Sequence, residues 1–254
     1  MQLRFTACGL IAAMRWIYIS PHLDDAVLSA GGLLYEQAQK GVPVEIWTVV
    51  CGFPKTDRLS DFARALHASW KLGSAREVVS ARREEDKHAV KLVGARPVHF
   101  DVPDCIYRLG PNDEFLYNDI FVPPHELETD LPAHIAKMLA PKLQEDDVVL
   151  CQLAVGGHVD HVIVRQGVEM LGRPLLYAAD VPYLFNTPED LDARAAGMSA
   201  ETHPVTEAGL ECWKDAVAAY ASQMNELFQG EGPMRAAIQS YWEERKGIRL
   251  WQVK

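Results

Sequence analysis

None of the 5 cysteines (Cys8, Cys51, Cys105, Cys151, Cys212) falls into a C-x-x-C spacing. An odd, scattered set reads as reduced thiols of a cytoplasmic protein, several of them in the core, and not as a disulfide framework. No stretch approaches the ~20 consecutive apolar residues of a membrane span. Positive charge is also short: 25 Lys and Arg stand against 35 Asp and Glu, a formal net charge of −10. That balance argues against a nucleic-acid surface or an anionic membrane and leaves a neutral or cationic small molecule as the better partner. Neither a G-x-G-x-x-G nor a P-loop pattern occurs, so no dinucleotide is expected. Internal repeats and low-complexity tracts are missing too.

What remains is ordinary globular material, 48% apolar and 24% charged over 254 residues, enough for one sizeable core. The start, "MQLRFTACGLIAAMRW", has an apolar patch that runs straight into Arg15, which argues against a cleaved secretory signal. With Met14 as a candidate start, residues 1–14 are expected to be an N-terminal extension and 15–254 a single domain.

Short β-rich runs alternate with helical patterns. Strands are predicted at 15–20, 42–50, 97–103, 147–155 and 174–183. Helices are predicted at 26–39, 59–72, 75–93, 125–143, 159–171 and 206–228, followed by a terminal tail. The segment 104–124 has no clear period and is long for a structureless loop, so it is expected to shape a site. The fold class is α/β: a single-domain, Rossmann-like, doubly wound, mostly parallel sheet with helices on both faces. Ligands of such sheets bind beyond the carboxyl ends of the strands.

The first and fourth of those ends carry the most polar chemistry. After strand one comes His22-Leu23-Asp24-Asp25; after strand four comes His158-Val159-Asp160-His161. A catalytic zinc site uses three N or O ligands and keeps one position open. His22 and Asp25, three apart at a helix entrance, can turn toward one point, and His161 from the other strand end completes a set. Asp24 then points elsewhere, as a general base for water at the metal must. His158 can protonate a leaving amine or steady an oxyanion. The plainer alternative is that one aspartate caps the helix and that H-x-D-H is only a polar helix start.

The stretch "SPHLDDAVLSAGG" with a downstream "GGHVDH" resembles the LmbE-like, or PIG-L, family of zinc-dependent N-deacetylases. The resemblance implies N-acetylglucosamine-type substrates, such as glycosyl phosphatidylinositol, mycothiol or bacillithiol precursors and some antibiotics. It implies His22, Asp25 and His161 as zinc ligands, Asp24 as general base and His158 as the second catalytic group. Ferrous iron or another divalent transition metal is the alternative occupant. "RREEDKHAVKLVG" matches the family helix R-x-x-E-x-x-x-A-x-x-x-x-G, which gives Arg82 to substrate oxygens; an exposed Arg82–Glu85 pair is the structural alternative.

By the same similarity Asp104 is a sugar-hydroxyl acceptor, or else a plain turn residue. Asp180 and Tyr183 are expected to line the crevice, and Ser222-Gln223 to pack. His67, His88, His99, His125, His134 and His203 are read as structural or surface. The commoner family motif is His-Pro-Asp-Asp-Glu; here Leu23 and Ala26 stand at the Pro and Glu positions. Neither is a proposed ligand.

The resulting expectation is a metal-dependent hydrolase that removes an N-acetyl group from a small N-acylated sugar. The alternatives are an amidase for a thiol conjugate or a longer N-acyl group, and a non-catalytic sugar-binding module. A homo-oligomer is compatible with the sequence.

Overall fold

The computed structural model describes residues 14–254; the extension expected at 1–14 lies, Met14 aside, outside the described residues. Five strands form the parallel part of the sheet: β1 (Trp16–Ser20), β2 (Val44–Gly52), β3 (Arg96–Pro103), β4 (Val148–Gln152) and β5 (Leu175–Ala178). Between them run α1 (Asp25–Gln39), α2 (Asp61–Ser69), α3 (Ala75–Leu92), α4 (Leu131–Leu139) and α5 (Val159–Glu169). The chain continues through α6 (Tyr183–Asn186), α7 (Asp190–Arg194), β6 (Met198–Pro204), α8 (Glu207–Ala218), α9 (Met224–Phe228), α10 (Glu231–Arg245) and β7 (Gly247–Val253). The sheet order is β3-β2-β1-β4-β5-β7-β6, with β7 antiparallel to both its neighbours.

β1 and β2 are buried along their whole length, which explains their unbroken apolar runs: a parallel strand covered on both faces has no wet side. β6, "MSAETHP", is polar and mostly exposed, as an edge strand that must not recruit another chain should be. The order reverses between β1 and β4, so the loops leaving these two strands lie side by side at their carboxyl ends. That adjacency brings the two histidine–aspartate clusters together.

One core packs α1, α8 and α10 on one face around Trp213; the other packs α4 and α5 around Ile135 and Ile163. The fully buried Trp213 indole N–H donates to the carbonyls of Val27 (2.8 Å) and Leu28 (3.2 Å), which pins α8 to α1. Gly31 makes room for it: a Cβ there would sit 2.6 Å from Trp213 Cδ1. Gly31→Ala gains about 1 kcal/mol of helix propensity but must displace a ring held by hydrogen bonds, an overpacking cost of about 1–3 kcal/mol. The clash wins, so urea denaturation should show a net loss of stability.

The differences from expectation have local causes. The helix expected over 206–228 breaks after Ala218, because the backbone N–H of Ser222 and its hydroxyl both donate to the Glu85 carboxylate, at 2.9 and 2.6 Å. The helix expected over 125–143 is regular only at 131–139, with single 3-10 turns on either side. The supposed tail is α10 and β7, the latter adding the antiparallel strand next to β5.

Candidate active site

β1 delivers the first cluster through a short turn. The Ser20 hydroxyl donates to the His22 carbonyl (2.7 Å) and accepts from the Ala26 N–H (3.1 Å). The His22 N–H donates to Asp25 Oδ2 at 2.7 Å. Asp24 stands at the N-cap position of α1, yet its side chain makes no cap hydrogen bond. Its buried carboxylate instead faces the Arg82 guanidinium at 3.4 Å. The capping alternative therefore does not hold for Asp24.

β4 delivers the second cluster through Gly156 and Gly157, at φ +83° and +73°, a left-handed turn that favours glycine. A Cβ on Gly156 would come within 2.9 Å of Tyr183 Cβ, so this glycine also lets Tyr183 close over the site. His158 caps α5, its Nδ1 accepting from the Asp160 N–H at 3.1 Å, which leaves its other nitrogen for the cavity it lines.

Asp25 Oδ2 lies 3.3 Å from His22 Nδ1 and 3.3 Å from His161 Nε2. The outer nitrogens of both rings are held by buried carboxylates: His22 Nε2 by Asp160 (3.1 Å) and His161 Nδ1 by Asp180 (2.8 Å). Such outer carboxylates fix the tautomer and aim the inner lone pair. His161 Nε2 is buried and, among the described residues, has no hydrogen-bond partner. Two imidazole nitrogens, one of them the buried His161 Nε2 without a hydrogen-bond partner, and one carboxylate oxygen fit a zinc-type cation.

His22, His158 and His161 also bring one nitrogen each within 4.8 Å of one another, as do ligand atoms of His22, Asp104 and Asp160. The latter group uses the His22 nitrogen already bonded to Asp160, whose oxygens also accept from the Cys105 N–H and from Arg108. It supports the His22 ring and is not a second centre.

Charge follows this arrangement. Burial opposes ionisation of Asp25, but His161 and His22 override it and hold the carboxyl well below its usual range. Burial pushes Asp24 up to about 6, against the lowering pull of Arg82. Burial, reinforced by the charges of His22 and His161, holds His158 well below the ordinary histidine value. Burial also opposes protonation of His161, yet Asp25 and Asp180 raise it to about 9.

His22, Asp24, Asp25 and His158 line a cavity of about 100 Å³, whose wall also includes Trp70, Arg82, Asp104, Ile120, Tyr183 and Glu226. Arg82 lies over the Trp70 ring at 5.3 Å. The exposed Arg82–Glu85 pair does not form, since Arg82 faces Asp24 and Glu85 holds Ser222. Asp104 lies on the cavity, 3.8 Å from His22 Nε2, while its Oδ1 also accepts from the Ile106 N–H. Both readings of Asp104 thus have a contact behind them.

Asp180 corrects the expectation. It is fully buried, with Oδ1 on His161 and Oδ2 on the Val155 N–H (2.8 Å), so no oxygen is left for substrate. Its role is to hold His161. Asp180→Asn should weaken zinc binding about 10–100-fold, read by chelator competition. Arg108, in the segment without periodicity, carries no sequence signal; Trp70, at the end of the helix predicted over 59–72, lines the cavity where a tryptophan is expected in the core. His67 and His99 are structural, bonded to the Tyr107 hydroxyl and to Asp86, each at 2.6 Å.

The family model described as PIG-L, GlcNAc-PI de-N-acetylase, matches residues 17–171. A 2'-N-acetylparomamine deacetylase of Niallia circulans is 24% identical over 269 residues, covering 94% of each chain. One of Streptomyces fradiae is 33% identical over 178 residues, 66% of this chain and 57% of that one. Among solved structures, a zinc-inhibited form of teicoplanin deacetylase Orf2 superposes with a TM-score of 0.81 at 27% identity, covering 94% of this chain and 97% of that one.

Proposed function

The chain belongs to the PIG-L (GlcNAc-PI de-N-acetylase) family, and on that premise we propose that it is a zinc-dependent hydrolase removing an N-acetyl group from an N-acetylglucosamine-type sugar or glycoconjugate. The observation that carries this is the convergence of His22 Nδ1 and His161 Nε2 on Asp25 Oδ2, with both outer ring nitrogens held and His161 Nε2 without a hydrogen-bond partner among the described residues. The similar chains above are named as deacetylases.

His22, Asp25 and His161 hold the metal. A zinc ion held there would supply Lewis acidity, to lower the pKa of a water and to polarise the acetamide carbonyl. Asp24 takes the proton of the attacking water as its oxygen bonds to the carbonyl carbon. Arg82, 3.4 Å away, keeps that carboxylate oriented. His158 donates to the oxyanion of the tetrahedral species. The C–N bond then breaks, the nitrogen takes the proton, and acetate and a free amine leave. Arg82 and Asp104 bind sugar hydroxyls.

The small cavity favours acetyl over a longer acyl chain. We expect kcat/KM for an N-octanoyl analogue to be at least ~10-fold below that for the N-acetyl sugar. The scattered cysteines, of which the described four are free, support a cytoplasmic location. Among the described residues no helix is long and apolar enough to cross a membrane. An acetate-release screen over N-acetylated sugars, run beside elemental analysis, tests the proposal. Glycan binding with neither acetate nor stoichiometric metal would point to the binding module instead.

A further inference from the structure

We propose that Arg108 is a positioning residue for the metal centre, acting through Asp160 on the ring of His22. The inference rests on the metal reading above, and it starts in the segment after β3 that the sequence left without a period.

Arg108 is 7% exposed and serves several partners at once. Its Nη1 donates to Asp160 Oδ1 and to the Pro103 carbonyl (3.2 Å). Its Nε lies 2.6 Å from Glu128 Oε1, and its guanidinium covers the Tyr117 ring at 5.2 Å. Glu128 Oε2 accepts from the Tyr117 hydroxyl at 2.6 Å, and that hydroxyl accepts from the His125 N–H at 2.8 Å. A buried chain therefore runs from His22 through Asp160, Arg108 and Glu128 to Tyr117.

Asp160 is the link that matters. It is fully buried, so water does not set its orientation. Oδ2 serves His22 Nε2 (3.1 Å) and the Cys105 N–H (3.0 Å), while among the described residues Oδ1 is held by Arg108. Releasing Oδ1 lets the carboxylate rotate, which carries Oδ2 away from His22 Nε2 and swings the Nδ1 lone pair off the centre. Arginine suits the place because Nη1 bonds Asp160 while the same planar guanidinium keeps its charge against Glu128, whereas a lysine ammonium is a single point.

The test measures zinc affinity by competition with a chromophoric chelator, with cobalt-loaded protein giving a visible spectrum of the ligand field. Arg108→Lys, Asp160→Asn and the double variant are compared with the parent after folding is checked by circular dichroism. Arg108→Lys should weaken zinc binding about 10–100-fold and shift the cobalt bands. The double variant should bind no more weakly than the weaker single, because both act through one contact.

A folded Arg108→Lys with parental zinc affinity overturns the proposal, as do losses that multiply in the double variant. If Arg108→Lys does not fold, Arg108→Ala is prepared with millimolar guanidinium; affinity unchanged on dialysing the guanidinium away overturns it equally. A parent protein that binds no zinc overturns the metal reading itself, a distinguishable failure.

Discussion

Asp24→Asn is expected to keep one zinc per chain while kcat for acetate release falls about 10²–10⁴-fold, the usual worth of a positioned general base. The substitution keeps the shape of the side chain and an oxygen that accepts from Arg82, so substrate binding and folding should change little. Stability separates this from a structural role. Burial raises the Asp24 carboxyl to about 6. A folded-state value above the unfolded one means that stability is lost as pH rises through about 6, where the folded protein must carry the charge. Asparagine removes that penalty, so the metal-free variant should melt no lower than the metal-free parent at pH 7. Near-parental turnover by Asp24→Asn would remove Asp24 as the base.

The second large effect belongs to His161→Ala. One of the three proposed donor atoms disappears, and we expect less than about 0.2 zinc per chain after dialysis, with acetate release at background. A second consequence follows from burial. Asp180, 0% exposed, loses its histidine and keeps the Val155 N–H. Leaving a buried carboxylate without its charged partner costs about 3–5 kcal/mol. The variant should therefore melt well below the metal-free parent, and adding Asp180→Asn should restore most of the melting temperature without restoring zinc. Calorimetry and elemental analysis on the same samples read both effects.

Much of the site's geometry was legible because the proposed ligands sit where strands end. Apolar runs located β1 and β4, the doubly wound class placed their carboxyl ends at a crevice, and the polar residues just beyond them had to meet there. What escaped has physical reasons. Asp180 follows β5 as an ordinary strand-ending aspartate, and only the hydrogen bond across to His161 separates an orienting residue from a substrate contact. Arg108 acts through pairs distant in sequence, Asp160 and Glu128, which no local pattern encodes.

The break between α8 and α9 depends on Glu85, on a helix far upstream, outcompeting the helical hydrogen bonds of Ser222. The missed α10 was different. Met234, Ile238, Tyr241 and Trp242 form a helical apolar stripe, so its signal was present in the sequence. Ala26, where the commoner motif carries an acid, is 1% exposed in the core beneath the site, and its N–H is taken by Ser20. The proposed donor set does not use that position.

The most direct test is acetate release from N-acetylated sugars by chelator-treated protein, before and after one equivalent of zinc. Release should be undetectable in the stripped protein and should return in proportion to zinc bound, reaching its maximum at one per chain. Undiminished release by protein holding less than about 0.1 metal per chain would contradict the metal-dependent mechanism.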